Sequence, residues 1–188
     1  MIQQFKNNHA IRATLLVLFI FLLLTGCSKK NTNNDLEFTF DNNNNYTGFK
    51  NAKKMSVSDA IKNGYYISEN GYIVSGEDKW DEFVNKANDN TETQIRMMKI
   101  VEDKDYLEYI DFFYRDELYY AFSSNTSDSV KVGYKYLHVL EESKENDIKM
   151  FFIVLSNEEK LTYNQVMADL LSSQANDVND SILVWGIK

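Results

Sequence analysis

The chain has 188 residues, with 28 acidic against 20 basic side chains and a formal net charge of −8. Removing residues 1–26 takes away Lys6 and Arg12 and no acidic residue, which leaves 18 basic and 28 acidic side chains and a charge of −10. This balance argues against nucleic acid as a partner, because such binding depends on basic patches that neutralise phosphates. Cys27 is the single cysteine, which excludes a disulfide within the chain.

A basic start and an apolar run open the chain. The run extends from Ala13 to Leu24, and the small residues Thr25 and Gly26 follow it. This order is typical of a secretory signal. The run of about a dozen residues is short for a membrane span, which needs about 20. An uncut membrane anchor and a buried core helix are the alternatives.

The stretch Leu24-Thr25-Gly26-Cys27 resembles the cleavage site of a bacterial lipoprotein signal, in which the cysteine thiol receives a diacylglyceryl group. The resemblance implies that residues 1–26 are a signal peptide and that Cys27 is lipidated. It also implies anchoring on the extracytoplasmic side of a bacterial cell membrane. Two acyl chains would hold the protein stably, whereas one chain holds only marginally.

Residues 27–54 are predicted to be the lipidated cysteine and a flexible, Asn-rich tether. The run from Asn42 to Asn45 favours neither helix nor strand. Leu36, Phe38 and Phe40 alternate along the same segment. This alternation leaves open a short strand that packs back onto the domain.

Residues 55–188 are predicted to form a single domain that begins with a helix, a hairpin and a second helix. Ser56 with Asp59 is typical of a helix start, and Gly64 of a helix end. Asn70-Gly71 between apolar runs favours a type I′ turn, with a looser loop as the alternative. The second helix has an apolar stripe at helical spacing, formed by Trp80, Phe83, Val84 and Ala87.

From Thr93 onwards the pattern changes to strands joined by short polar connections, which favour antiparallel neighbours. Thr162 and Gln165 form a capping box that opens a third helix. Segregated runs of this kind predict an α+β fold: a single curved antiparallel sheet of about five to seven strands, with two or three helices packed on one face. The predicted strands cover residues 94–101, 106–114, 118–122, 130–140, 149–155 and 182–185.

Two neighbouring predicted strands are dense in aromatic residues. If one face of these strands is exposed, it forms a patch of the kind that marks a partner surface. Cross-strand aromatic pairing is the alternative explanation. The aromatic residues are Tyr106, Tyr109, Phe112, Phe113, Tyr114, Tyr119, Tyr120 and Phe122.

His138 is the one histidine after the leader, and on a strand it would share a face with Tyr134 and Tyr136. We predict these three residues as a possible partner surface. The simpler alternative is that His138 is an ordinary strand residue whose hydrogen bonds are satisfied or that faces solvent. The acidic cluster Glu102–Asp105 lacks the glycine and the spacing of a calcium loop. With no recognised motif for catalysis, cofactor or metal, the sequence predicts no catalytic residue, no cofactor and no metal site.

Short stretches of the chain carry a resemblance to a family: Ala60 to Gly64, Gly71, Trp80 to Phe83, and Ile95-Arg96. They are similar to an uncharacterised lipoprotein family of Gram-positive bacteria, known as a domain of unknown function, over residues 57 to 140. The family tends to have a Thr-x-Glu-Gly-Asp-Pro stretch after the Ile-Arg strand. The segment 101–105 keeps the acidic residues and lacks the Gly-Pro turn, so the resemblance implies no shared site there.

We therefore expect a membrane-tethered extracytoplasmic lipoprotein that is a non-enzymatic binding module of the cell envelope. Its partner would be an envelope protein or peptide, bound through the aromatic face or a sheet edge by strand addition. Two alternatives stay open. One is a small hydrolase that uses carboxylates, assisted by His138 or tyrosines. The other is a carrier of a small hydrophobic ligand.

Overall fold

The computed structural model describes residues 36–50, 52, 55–101, 106–126, 130–143, 148–171 and 181–187. The predicted signal peptide and Cys27 lie outside these residues. In the described part, three helices are formed: α1 (Val57–Lys62), α2 (Glu77–Asn88) and α3 (Tyr163–Leu171). The strands are β1 (Tyr66–Glu69), β2 (Tyr72–Ser75), β3 (Thr93–Val101), β4 (Tyr106–Arg115), β5 (Leu118–Ser123), β6 (Tyr136–Ser143), β7 (Lys149–Ser156) and β8 (Ser181–Ile187).

These eight strands form one strongly curled, mixed sheet in the order β5-β4-β3-β1-β2-β8-β7-β6. The predicted α+β class is confirmed. The prediction of a purely antiparallel sheet of five to seven strands is wrong, because β1 pairs with β3, and β2 with β8, in parallel. The β1–β2 hairpin reverses the chain, and α2 then carries it past β1, so β3 starts at the same end of the sheet as β1 and runs beside it in the same direction.

The curl brings distant strands together at two narrow seams. On one side, the amides and carbonyls of Tyr119 and Tyr134 exchange hydrogen bonds of 2.8 and 2.9 Å. On the other side, β2 and β8 pair at Tyr72 and Ile187. A Cβ on Gly186 would lie 2.5 Å from the Gly71 carbonyl oxygen. Glycine is therefore required for the close approach at this second seam.

Helix α2 lies on the concave face of the sheet. Its predicted stripe is confirmed, since Trp80, Phe83 and Ala87 are buried in one cluster with the core side chains of β1, β3, β4, β5 and β7, and Val84 packs at the margin. Gly76 starts the helix with a φ of 85°, and a Cβ there would lie 2.2 Å from the Tyr65 carbonyl oxygen. The backbone path from β2 into α2 therefore requires glycine.

The other two helices lie on the convex face, so the prediction of helices on one face is wrong. Ala60 of α1 packs with Ile67 and Met98, and Val166 of α3 packs with Val154. Successive strand residues point to opposite faces, and β3 and β7 are apolar at both. Both faces of these strands therefore need cover.

The predicted local signals for turns and caps are confirmed. The Ser56 hydroxyl accepts from the Asp59 amide at 3.1 Å. The Thr162 amide donates to Gln165 Oε1 at 2.9 Å. The turn Asn70-Gly71 has φ values of 50° and 87°, which is the positive pair that a type I′ turn needs.

Candidate functional site

The aromatic strands β4 and β5 are covered on both faces. Alternation directs one set of aromatic rings to the concave cluster with α2 and the other set to the convex face. The aromatic residues of these strands whose side chains the structure describes are buried, which supports structural pairing and removes this face as a partner surface. The side chain of Tyr106 lies outside the described part. The concave set is Phe112, Tyr114 and Tyr119, and the convex set is Tyr109, Phe113, Tyr120 and Phe122.

An N-terminal strap, defined as residues 36–50, covers the convex face of β4 and β5. The Phe38 ring lies 4.9 Å from Phe113 and 5.0 Å from Tyr120, between centroids. Tyr46 stacks on Phe122 at 4.1 Å. The strap lies inside the segment predicted as a tether, and it packs back onto the domain as the alternation of aromatics had left open. It does so as a loop closed by one bridge between Phe40 and Tyr46.

Beneath the strap lies a buried ion pair that the sequence reasoning missed. Arg96 donates to Asp111 through Nε at 2.5 Å and Nη2 at 2.6 Å, and the Tyr46 hydroxyl donates to the same carboxylate at 2.8 Å. The Phe49 and Tyr109 rings both lie against the guanidinium, with centroids 5.5 and 5.3 Å from Cζ. The sequence does carry a signal for this ion pair: an arginine and an aspartate that each interrupt an otherwise apolar strand, at positions that the sheet pairs.

The buried charges shift the titration of their neighbours. Burial raises the pKa of Tyr46, and the Asp111 carboxylate beside it raises that pKa further. Burial alone would lower the pKa of Arg96, but the hydrogen bonds and the charge of Asp111 raise it. Tyr46 is the strap residue that takes part in this buried cluster, so the cluster joins the strap to the sheet.

Residues 130–134 cover the β5 edge of the sheet and also hold the strap. The Lys131 amide donates to the Asn44 carbonyl at 3.2 Å. The Lys131 ammonium lies 5.1 to 5.4 Å from the centroids of Phe38, Phe40 and Tyr120, within cation–π range of all three rings. The chain itself thus covers the β5 edge where Tyr119 pairs with Tyr134.

The opposite edge is formed by β6, which stands last in the sheet order. In the part of the chain that the structure describes, β7 is the one strand paired with it, from Tyr136–Ser156 to Ser143–Lys149. The predicted strand over 130–140 is corrected to β6 (Tyr136–Ser143), because residues 130–135 cross the end of β5 instead. Glu141, one residue beyond the predicted strand, lies in β6.

The three predicted surface residues lie at the start of this open edge but do not share one face. Tyr136 and His138 pair with Ser156 and Val154 of β7, and their rings are 6.0 Å apart. His138 Nε2 lies 2.9 Å from the Glu158 carbonyl oxygen. Tyr134 packs against the concave core cluster instead, since the chain bends at residue 135 before β6 begins.

The core side of the open edge is incompletely covered. Val139 pairs with Ile153, which is 0% exposed and belongs to the concave cluster. Val139 itself is 37% exposed. Directly paired residues share a face of the sheet, so an apolar side chain on the core side lacks cover where the sheet ends. A further strand beside β6 would bury it.

Acidic residues converge near one buried hydroxyl on the concave side. Burial raises the pKa of Tyr66, and the charges of Glu77, Asp81 and Glu141 raise it further. Among the described residues, no group of three or more His, Cys, Asp or Glu side chains is arranged to hold a metal ion. The acidic cluster at residues 102–105 lies outside the described residues.

Comparisons with protein-family models, with curated proteins and with solved structures found no match to this chain. The resemblance to a lipoprotein family therefore stays a prediction. Within the described ranges, no helix combines the length and the apolar character that crossing a membrane requires.

Proposed function

We propose that the protein is a lipid-anchored, extracytoplasmic binding module that captures an extended segment of an envelope protein by strand addition to β6. In strand addition, main-chain hydrogen bonds supply affinity, and alternate side chains supply specificity. The anchor is the diacylglyceryl group on Cys27, and the binding element is the open edge that starts beside Tyr134 and continues through Tyr136 and His138.

The observation that carries this proposal is the unequal treatment of the two sheet edges. The β5 edge is crossed by residues 130–134, whereas residues 136–140 of β6 pair with β7 alone among the described strands. Proteins usually protect long edge strands against unwanted pairing. An eight-residue edge strand that presents Val139 on its core side suits a partner strand.

Site-specific photocrosslinking on intact cells tests the edge. A photoreactive phenylalanine analogue at Val139 is compared with the same group at Val57 of α1, because the two side chains are 37% and 41% exposed. The proposal expects one discrete adduct from position 139 and none from position 57. Equal adducts from both positions, or none from either, would contradict it.

A charge on the core side of the edge strand provides the second arm. Val139→Lys places an ammonium where the partner strand would pack, and such inward charges block edge pairing. Val57→Lys is the matched control. We expect the adduct, recorded with the photoreactive group at Leu137, to fall at least about tenfold with Val139→Lys, equivalent to about 1.4 kcal/mol, and to persist with Val57→Lys.

The anchor has its own test, which is the mass of the N-terminal peptide of the native protein. The proposal expects Cys27 as the first residue, carrying a diacylglyceryl group, and expects Cys27→Ser to abolish this modification. Retention of residues 1–26 or an unmodified Cys27 thiol would refute the anchor.

A further inference from the structure

The open edge strand changes from apolar to acidic along its length. Residues 136–140 of β6 include no acidic side chain, whereas Glu141 and Glu142 follow them directly. Leu137, Val139 and Glu141 pair with members of the concave cluster in β7, so all three lie on the concave side. A partner strand beside β6 therefore meets two apolar side chains and then a carboxylate on this side.

Further carboxylates lie near Glu141 on the concave side. Glu77 and Asp81, at the start of α2, act together with Glu141 on the titration of one buried tyrosine, Tyr66. Lys149 lies 3.9 Å from Glu141, and both of these side chains are partly exposed to solvent. An ion pair between exposed side chains contributes little, so a better placed cation can replace Lys149.

The Tyr66 hydroxyl is a polar group that its surroundings do not satisfy. The residue is 1% exposed, and the structure gives its hydroxyl no hydrogen bond within the described ranges. A buried tyrosine hydroxyl usually has a hydrogen-bond partner. Burial raises the pKa of Tyr66, and the three carboxylate charges raise it further, so the hydroxyl and the carboxylates share one region. A group that satisfies both must donate hydrogen bonds and carry positive charge.

A long basic side chain fits this region better than a metal ion does. The described acidic side chains are not arranged in a group of three or more that could hold a metal. A lysine or arginine has its donors at the end of a flexible apolar stem. Such a side chain can enter from the open edge, where Val139 lacks cover, and place its charge among separate carboxylates.

We infer that the segment captured by β6 is basic, with apolar side chains opposite Leu137 and Val139 and a lysine or arginine opposite Glu141. This inference rests on the proposed function, since it uses the same open edge, and it adds the chemistry of the partner segment. Alternate residues of a strand share a face, so these three partner residues are spaced by two. The excess of acidic over basic side chains in the chain favours rapid encounter with such a segment.

The photocrosslinked adduct from position 139 reports the partner sequence directly. The adduct is digested with a protease that leaves lysine and arginine uncut, and the attached peptide is sequenced by mass spectrometry. We expect a lysine or arginine two residues to one side of the crosslinked residue and an apolar residue two residues to the other side. A captured segment without a basic residue at either position would overturn the inference and leave the edge proposal intact.

Synthetic peptides test the charge with the purified protein. The probe is the fluorescein-labelled peptide Gly-Lys-Thr-Val-Thr-Val-Thr-Gly, whose lysine and two valines share one face of a strand. The peptide of reversed sequence serves the opposite strand direction. In each matched control peptide, glutamate replaces the lysine. We expect the lysine peptide, in at least one direction, to bind at least about tenfold more tightly than its control in fluorescence anisotropy, because like charges side by side are costly.

Reversal of the charge at Glu141 separates this role from a loss of folding. Glu141→Lys should reverse the preference, so that the glutamate peptide binds more tightly than the lysine peptide, which an unfolded variant cannot do. Glu37→Lys, at an exposed residue of the strap, is the matched control and should leave the preference unchanged.

The outcomes distinguish the inference from the proposed function. Equal binding of the lysine and glutamate peptides to the unaltered protein, binding of neither, or an unchanged preference with Glu141→Lys would overturn the basic segment. The absence of any adduct from position 139 on intact cells would instead overturn the proposed function.

Discussion

At the residue scale, the cluster of Arg96, Asp111 and Tyr46 explains why the strap belongs to the fold. The Arg96 and Asp111 side chains are 3% and 0% exposed, and such a buried pair is tolerated when further hydrogen bonds satisfy it. Tyr46 supplies one of these bonds from the strap. The same side chain stacks on Phe122, so one residue joins apolar and polar contacts.

The hydroxyl contribution can be measured with Tyr46→Phe. Removing a hydrogen bond to a buried charged group costs about 1 to 3 kcal/mol, so we expect the free energy of unfolding to fall by about 2 kcal/mol. Urea unfolding followed by circular dichroism measures it. Tyr72→Phe, at an exposed tyrosine, is the control and should change stability by less than about 0.5 kcal/mol. Equal effects of the two substitutions would contradict the role of this hydroxyl.

Removal of the carboxylate should have a larger effect. Asp111→Ala leaves the Arg96 guanidinium buried and unpaired, which costs about 3 to 5 kcal/mol. Asp111→Asn retains acceptors for part of the network and should lose less. The midpoint of urea unfolding for both variants gives the comparison. A smaller loss of stability with Asp111→Ala than with Asp111→Asn would contradict the need of the Arg96 guanidinium for hydrogen-bond acceptors.

At the element scale, the strap covers one part of the convex face of the sheet, as α1 and α3 cover other parts of it. Its aromatic residues contact the convex rings of β4 and β5. The local signals for α1, the β1–β2 hairpin and α3 could be predicted because caps and turns depend on a few neighbouring residues. The position of the strap could not be predicted in this way. Asparagines dominate its composition, whereas a few aromatic side chains determine how it packs.

The strap contribution is tested with Phe38→Ala. Its ring contacts Phe40, Phe113, Tyr120 and Phe122, and loss of this partly buried phenylalanine ring should cost about 2 to 4 kcal/mol. Asn42→Ala, at an exposed residue of the same segment, is the control. Thermal unfolding should show a lowered midpoint for Phe38→Ala and an unchanged midpoint for Asn42→Ala. Unchanged midpoints for both would mean that the strap does not stabilise the domain.

The seam between β2 and β8 is tested with Gly186→Ala. An added Cβ would lie 2.5 Å from the Gly71 carbonyl oxygen and 2.6 Å from the Phe151 ring, so the two strands must separate. We expect a loss of about 1 to 3 kcal/mol, as for other overpacked sites. Gly71→Ala is a useful comparison, because it meets no atom within 4 Å but has a φ of 87°. Full stability of Gly186→Ala would contradict the tight seam.

At the scale of the whole molecule, both faces of the curled sheet are packed against other elements, the inside against α2 and the outside against the strap, α1 and α3. The apolar character of β3 and β7 at successive positions indicates two covered faces, and this could have been predicted from the sequence. The sheet order could not, because the β2–β8 pairing joins residues that are more than a hundred positions apart. The open edge of β6 likewise follows from the order of strands and from the path of residues 130–134.

Alkaline titration tests the extent of this burial. Burial raises the pKa of the tyrosines at positions 46, 66, 109, 119 and 120. In the unfolded chain tyrosine ionises near pH 10. The unfolded state therefore releases more protons than the folded state above about pH 10, and stability falls as the pH rises through that range. Tyrosinate absorbance and near-ultraviolet circular dichroism should show these tyrosines ionising together with unfolding. Ionisation of all tyrosines near pH 10 with the fold intact would contradict the description.

Amide hydrogen exchange of β6 tests the central claim most directly, since strand addition is a backbone interaction. In the purified protein, alternate amides between Tyr136 and Leu140 should exchange rapidly, because an edge strand pairs on one side and its successive amides point in opposite directions. In native membranes that contain the partner, those rapid amides should become protected, and the strap and α1 should be unchanged. Protection that never reaches β6, or that appears only on α1 and β2, would contradict binding at the open edge.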